Sequence, residues 1–185
     1  MMKSIRLLVV GALAASAASC GDVVRDSRSP VVLSVSLVSP AGAPPPLTFI
    51  SHVATPASPD FMNATFTASM RDITVTPTAN NQVTMNRYHV EFTRADGHNQ
   101  AGVDVPFPFD GTFALVVPPG QTASGTFELV RTNAKLEAPL TQLVGASTGT
   151  STPALDTIAN ITFYGADLVG NQLSVVSSVL IEFTK

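Results

Sequence analysis

Residues able to do chemistry are sparse in this chain and gather in one stretch, Arg94-Ala95-Asp96-Gly97-His98-Asn99-Gln100-Ala101-Gly102-Val103-Asp104, with Asp110 a few positions on. Asp96, Asp104 and Asp110, with Asn99, carry hard oxygen atoms of the kind that Ca²⁺ gathers in sets of six to eight, and His98 adds a titratable ring. Their spacing matches no calcium-loop pattern, and Asp-Gly is ordinary turn chemistry. The stretch from 94 to 111 is therefore a candidate small-ligand or calcium loop, and no resident metal or other cofactor is expected.

Other constellations are thinner still. His52, His89 and His98 are far apart in sequence and show no metal-ligand spacing. The many serines include no Gly-x-Ser-x-Gly elbow and no Ser-x-x-Lys pair. Of the four glutamates, Glu91, Glu128 and Glu182 fall on the outward phase of expected strands, where a charge serves solubility and blunts edges. Tyr88 shares its phase with Val90 and Phe92, which points to core packing rather than sugar stacking. With no catalytic role filled, a non-enzymatic protein is expected. Asp167, Gly170 and Asn171 read as turn residues, since Gly and Asn accept positive φ and an Asp carboxylate accepts backbone N–H groups.

One sulfur stands apart from this polar chemistry. Cys20 is the only cysteine, so no intrachain disulfide competes for it. Before it lie a short basic part, Lys3 and Arg6, an apolar run of about a dozen residues from 7 to 18, and small residues up to Cys20. That run is too short for the roughly 20 residues of a membrane-spanning helix. The segment resembles a bacterial lipoprotein signal peptide, with Ala17 where Leu is favoured. The resemblance implies removal of 1–19, a thioether from the Cys20 thiol to a diacylglyceryl group, and further acylation of the freed amine by a fatty acid such as palmitate. Several acyl chains anchor stably, at about 0.8 kcal/mol per buried methylene. Gly21 rather than Asp follows the cysteine, which favours the outer membrane over the inner cell membrane where a cell has both. The chain would then face the periplasm or the cell surface.

Composition sets the rest of the frame. At 185 residues and 45% hydrophobic, the chain supports one domain with a real core. Charged residues are 12%, about half the usual share, and 14 Pro with 12 Gly signal strands and turns. The mean hydropathy of +0.30 owes much to residues 5 to 18. Taking Lys3 and Arg6 from the ten basic residues leaves eight against thirteen acidic ones, a formal charge of about −5 that disfavours nucleic acid as a partner.

Residues 20–29 are polar and aperiodic, as a tether would be, and the fold is expected over 30–185. Alternation at Val31, Leu33, Val35 and Leu37 marks a half-buried strand. Further strands are expected at 47–54, 62–76, 84–94, 112–117, 123–131, 157–164 and 173–183, separated by turn residues. Leu136, Leu140 and Leu143 have helical spacing, so one short helix is expected near 133–143, limited by Pro139. The stretch from Ile161 to Val175, strand, Asp167-Leu168-Val169-Gly170-Asn171, strand, resembles the final hairpin of bacterial immunoglobulin-like and fibronectin-like domains. The expectation is all-β: an antiparallel immunoglobulin-like β-sandwich of about seven to nine strands. Its function would be non-catalytic, a lipid-anchored envelope module meeting another envelope protein. The alternative is a lipoprotein binding a small ligand or glycan through 94–111.

Overall fold

The computed structural model describes residues 29–38, 48–53, 58–145 and 154–185; Cys20, segment 1–19 and tether positions 20–28 lie outside the described residues. Eight strands follow in order: β1 (Val31–Val38), β2 (Thr48–His52), β3 (Asp60–Met70), β4 (Val83–Thr93), β5 (Phe109–Val117), β6 (Thr122–Val130), β7 (Ala154–Asp167) and β8 (Gln172–Thr184). Each overlaps a segment marked by alternation or turn chemistry. The third ends at Met70 rather than 76 because Asp72 opens a turn: its Oδ1 accepts from the Thr74 N–H (2.9 Å) and the Thr74 hydroxyl (2.7 Å).

The strands form two sheets, β1-β3-β6 and β2-β8-β7-β4-β5. Period-2 patterning explains which face turns inward. In β3, Met62, Ala64, Phe66 and Ala68 are buried, while Asn63, Thr65 and Thr67 between them are half-exposed. In β8, Val179, Ile181 and Phe183 are buried and Leu173 and Val175 pack against the core. Five rings lock the sheets together: Phe66 and Phe127 from the smaller sheet, Tyr88, Phe113 and Phe163 from the larger. Phe66 meets Phe163 edge-on at 5.0 Å, Phe127 meets Phe163 at 5.2 Å, and Tyr88 meets Phe127 at 5.3 Å. Such geometry adds roughly 0.5–1.5 kcal/mol per pair beyond burial. Gly111, opposite Tyr88 in the β4–β5 register, leaves the space that the Tyr88 ring fills.

Two expectations are corrected. The strands are not all antiparallel, because β2 runs parallel to β8, with Ile50 opposite Glu182. β1 belongs to the smaller sheet, whereas β2 adds at the margin of the larger one, beside β8 and running with it. The single helix is in fact two, α1 (Thr132–Leu136) and α2 (Leu140–Gly145). Between them Glu137 is extended, with φ −117° and ψ 166°, and Pro139 has no N–H to donate to a continuing helix. Nor do the leucines share one buried face. Leu140 is fully buried, but Leu136 is 61% exposed and its neighbour Lys135 turns inward instead.

Strand directions sort the connections to two ends of the paired sheets. At one end lie Ser29, the β3–β4 connection 71–82, the β5–β6 turn 118–121 and the β7–β8 turn 168–171. The opposite end carries loop 94–108, α1, α2 and the C-terminus of β8. Among the described residues no helix is long and apolar enough to cross a membrane.

Candidate functional site

The polar loop sits at the α1 end and holds itself together. Asn99 Oδ1 accepts from the Arg94 N–H at 2.6 Å, closing the loop on its own stem. Asp96 Oδ1 accepts from the His98 N–H (3.1 Å) and Arg94 Nε (3.2 Å), while its Oδ2 pairs with Arg94 Nη2 and lies 3.5 Å from His98 Nδ1. The Arg94 side-chain hydrogen bond, helped by the His98 N–H, holds the Asp96 carboxyl below its ordinary value. Asp104 Oδ2 accepts from the Gln100 N–H at 3.1 Å, and Val105, only 2% exposed, plugs the loop into the core. Asp110 belongs to β5, where it faces His89 of β4 at 3.3 Å.

Asp96, His98 and Asn99 therefore come together around Arg94, whereas Asp104 and Asp110 serve a separate turn and a cross-strand pair. Among the described residues no three of His, Cys, Asp and Glu are placed to hold a metal ion. These oxygens cap backbone and balance charge, which is the turn role available to the same residue types. Beside the loop is an open depression of about 360 Å³ lined by Arg94, Ala95, Asp96, Ala154, Leu155 and Asp156.

A second polar group at this end escaped the sequence reading. Lys135, 4% exposed, donates from Nζ to Asp60 Oδ1 at 3.0 Å and to the His52 carbonyl at 3.1 Å. Asp60 Oδ2 in turn accepts from the buried Ser51 hydroxyl at 2.5 Å. The carboxylate thus holds amine and hydroxyl on different oxygens, and clamps β2, β3 and α1 together. One sign was available in the sequence: Lys135 is the sole lysine between Lys3 and Lys185. Nearby in the fold, Thr157 Oγ1 and Arg131 Nε are buried with no hydrogen-bond partner among the described residues, and the Arg131 guanidinium stacks over Phe109 at 4.2 Å.

At the Ser29 end the predicted turn is built around Asp167, which is 4% exposed. Its Oδ1 accepts from the N–H groups of Val169 (3.1 Å) and Asn171 (2.9 Å). Its Oδ2 accepts from Asn171 Nδ2 (2.8 Å) and the Ser29 hydroxyl (2.9 Å). Gly170 supplies the positive φ, +98°. Burial by itself pushes the Asp167 carboxyl up, but the hydrogen bonds from Asn171, Ser29 and Val169 together outweigh it and hold the group below its ordinary value. Ser29, placed by sequence at the end of the tether, is packed into the fold, also capping the Val31 N–H at 3.2 Å. Around this turn apolar side chains face outward: Leu168 is 56% exposed, Val169 69%, Ile73 93% and Val75 48%.

No protein-family model matches the chain, and no curated protein matches it either. Among solved structures the chain is similar to the X-ray structure of Northeast Structural Genomics Consortium target SoR45, at 11% identity over 83% of this chain and 86% of that one, with a TM-score of 0.39. The functional reading consequently rests on the residues themselves.

Proposed function

We propose that this chain is a lipid-anchored cell-envelope protein whose immunoglobulin-like sandwich has no catalytic role and holds its far-end loops out to another envelope protein. The observation that carries the reading is the joint at Ser29. Nine residues after Cys20, the chain is bonded through Ser29 to Asp167, so the anchor leads into one defined end of the sandwich. The other end stands away from the membrane by the length of β7, whose 14 residues span roughly 45 Å at about 3.3 Å each.

Strand order supports the immunoglobulin-like part. That plan places strands A, B and E on one sheet and C, F and G on the other, the variable type adding C′ beside C. Taking β1, β3 and β6 as A, B and E, and β5, β4, β7 and β8 as C′, C, F and G, the sheet orders follow it among the described residues without the strand D that it sets beside E, and with β2 added beside the last strand. An interior filled by aromatic rings, with Asp96 and Asp104 committed to turns, favours protein contact over enclosure of a small ligand. The depression beside Arg94 and Asp156 favours the alternative reading, a glycan or small ligand held at the rim.

A photo-crosslinking residue at His98, introduced in the acylated protein in intact cells, tests this. The expected result is a discrete protein adduct from position 98 and none from Thr65, on the outer face of the smaller sheet. An adduct sensitive to glycosidase instead of protease supports the alternative, and equal adducts from both positions contradict the far-end reading.

A further inference from the structure

We infer that the Ser29 end of the sandwich is a second membrane contact, with Leu168, Val169, Ile73 and Val75 dipping into the interface of the same bilayer that holds the lipid on Cys20. The inference rests on the anchor reading and adds to it an orientation and a lipid-binding surface. Three observations carry it.

The first is reach. Nine residues from Cys20 to Ser29 span at most roughly 30 Å even when fully extended. Ser29 is hydrogen-bonded to Asp167 and capped onto β1, so the turn 168–171 begins one residue from the point where the tether joins the fold. The anchor therefore keeps this end within about 30 Å of the lipid surface.

The second is the kind of residue exposed there. Leu168 and Val169 form the tip of a turn whose backbone is fixed from beneath by Asp167 and from the side by the Leu168 N–H to the Gln82 carbonyl at 3.2 Å. The Gln82 connection also carries Ile73, 93% exposed, and Val75. Rigidly presented aliphatic tips suit an interface that accepts apolar groups to a depth of about 5–10 Å.

The third is charge. The connections at this end, 71–82, 118–121 and 168–171, contain one basic and one acidic residue, Arg71 and Asp72, and the acid beneath the tip, Asp167, is buried and fully hydrogen-bonded. At the opposite end, 94–108 and 131–145 hold Arg94, Asp96, Asp104, Arg131, Lys135 and Glu137. That end also exposes apolar side chains, Val103, Phe107 and Leu136 among them, but mixes them with charge as protein-binding surfaces do. A bilayer is the occupant whose chemistry fits the end with fewer charges, where the exposed ones are Arg71 and Asp72.

The test uses the full acylated chain. With the Cys20 sulfur in a thioether, Val169→Cys supplies the single free thiol for a polarity-sensitive fluorophore, and His98→Cys supplies the control at the far end. The intact mass establishes lipid on Cys20 before the protein is placed in vesicles of phosphatidylethanolamine and phosphatidylglycerol. The expected result is blue-shifted emission at 169, quenched by spin-labelled lipid at least about threefold more than at 98, as interfacial insertion requires. Lipidated protein whose 169 fluorophore is as wet and as poorly quenched as that at 98 overturns this inference alone. A Cys20 without lipid overturns the anchor reading and this inference with it.

Discussion

The two ends of the paired sheets solve the same problem, capping the eight strands of the described residues, with opposite materials. At the α1 end, a buried lysine, a carboxylate and a hydroxyl tie β2, β3 and α1 together, and the surface loop is closed by Arg94, Asp96 and Asn99. At the Ser29 end, one buried carboxylate organises a turn from within and leaves its outer tip apolar. Both ends expose charge, five partly or fully exposed groups at the first and only Arg71 with Asp72 at the second. The difference teaches that polar residues here are chiefly architectural, and that the surface they leave behind distinguishes what each end can meet.

The comparison breaks most visibly at Lys135. Replacing it by alanine strips Asp60 of its buried cation, and the expected loss is about 3–5 kcal/mol in chemical denaturation. The double change Lys135→Met with Asp60→Leu should recover much of that loss, because an apolar pair needs no compensation. A Lys135→Ala protein as stable as the parent would mean that the clamp contributes nothing.

Asp167 comes next. Asp167→Ala removes charged acceptors from Ser29, Val169 and Asn171, an expected cost of roughly 2–3 kcal/mol, together with loss of amide-exchange protection at Asn171. The pH dependence has a definite sign. Because the folded carboxyl sits below its ordinary value, its contribution is complete above an unfolded value near about 4. It is lost as pH falls through the lower folded value. The parent should therefore lose stability in that acidic window more steeply than an Asp167→Asn protein, as thermal melts across the window would record.

The smallest expected effect sharpens the contrast from the other side. Thr157 is 1% exposed and its hydroxyl has no hydrogen-bond partner among the described residues. Thr157→Val keeps the shape and removes the orphan, so a gain of about 1 kcal/mol is expected in the same denaturation measurement. A loss of that size would show that the hydroxyl is satisfied.

Much of the fold was legible because alternation is a local signal. The strands β1, β3 and β8, the inward phase of β8 and the core position of Tyr88 follow from period 2, and turn residues marked out the other strands. The turn at Asp167 was legible for the same reason, since its partners are two and four residues away. Partners distant in sequence were not. The bond from Ser29 to Asp167 crosses 138 residues, that from Lys135 to Asp60 crosses 75, and no periodicity reports such meetings. The parallel run of β2 beside β8 depends on where a connection delivers the chain, which hydropathy does not encode. For Asp96 and Asp104 the ambiguity was chemical: an oxygen that caps a turn and one that binds a cation belong to the same residue types.

Every statement about orientation depends on what happens to the sulfur of Cys20. Cells fed an alkyne-bearing fatty acid, expressing either the parent or a Cys20→Ala protein, measure this directly when the purified chains are reacted with an azide dye and their N-termini mapped by mass. The account predicts label on the parent, with a mature chain that begins at position 20, and none on the variant. Unlabelled parent protein, or a mature chain beginning at another residue, would contradict it.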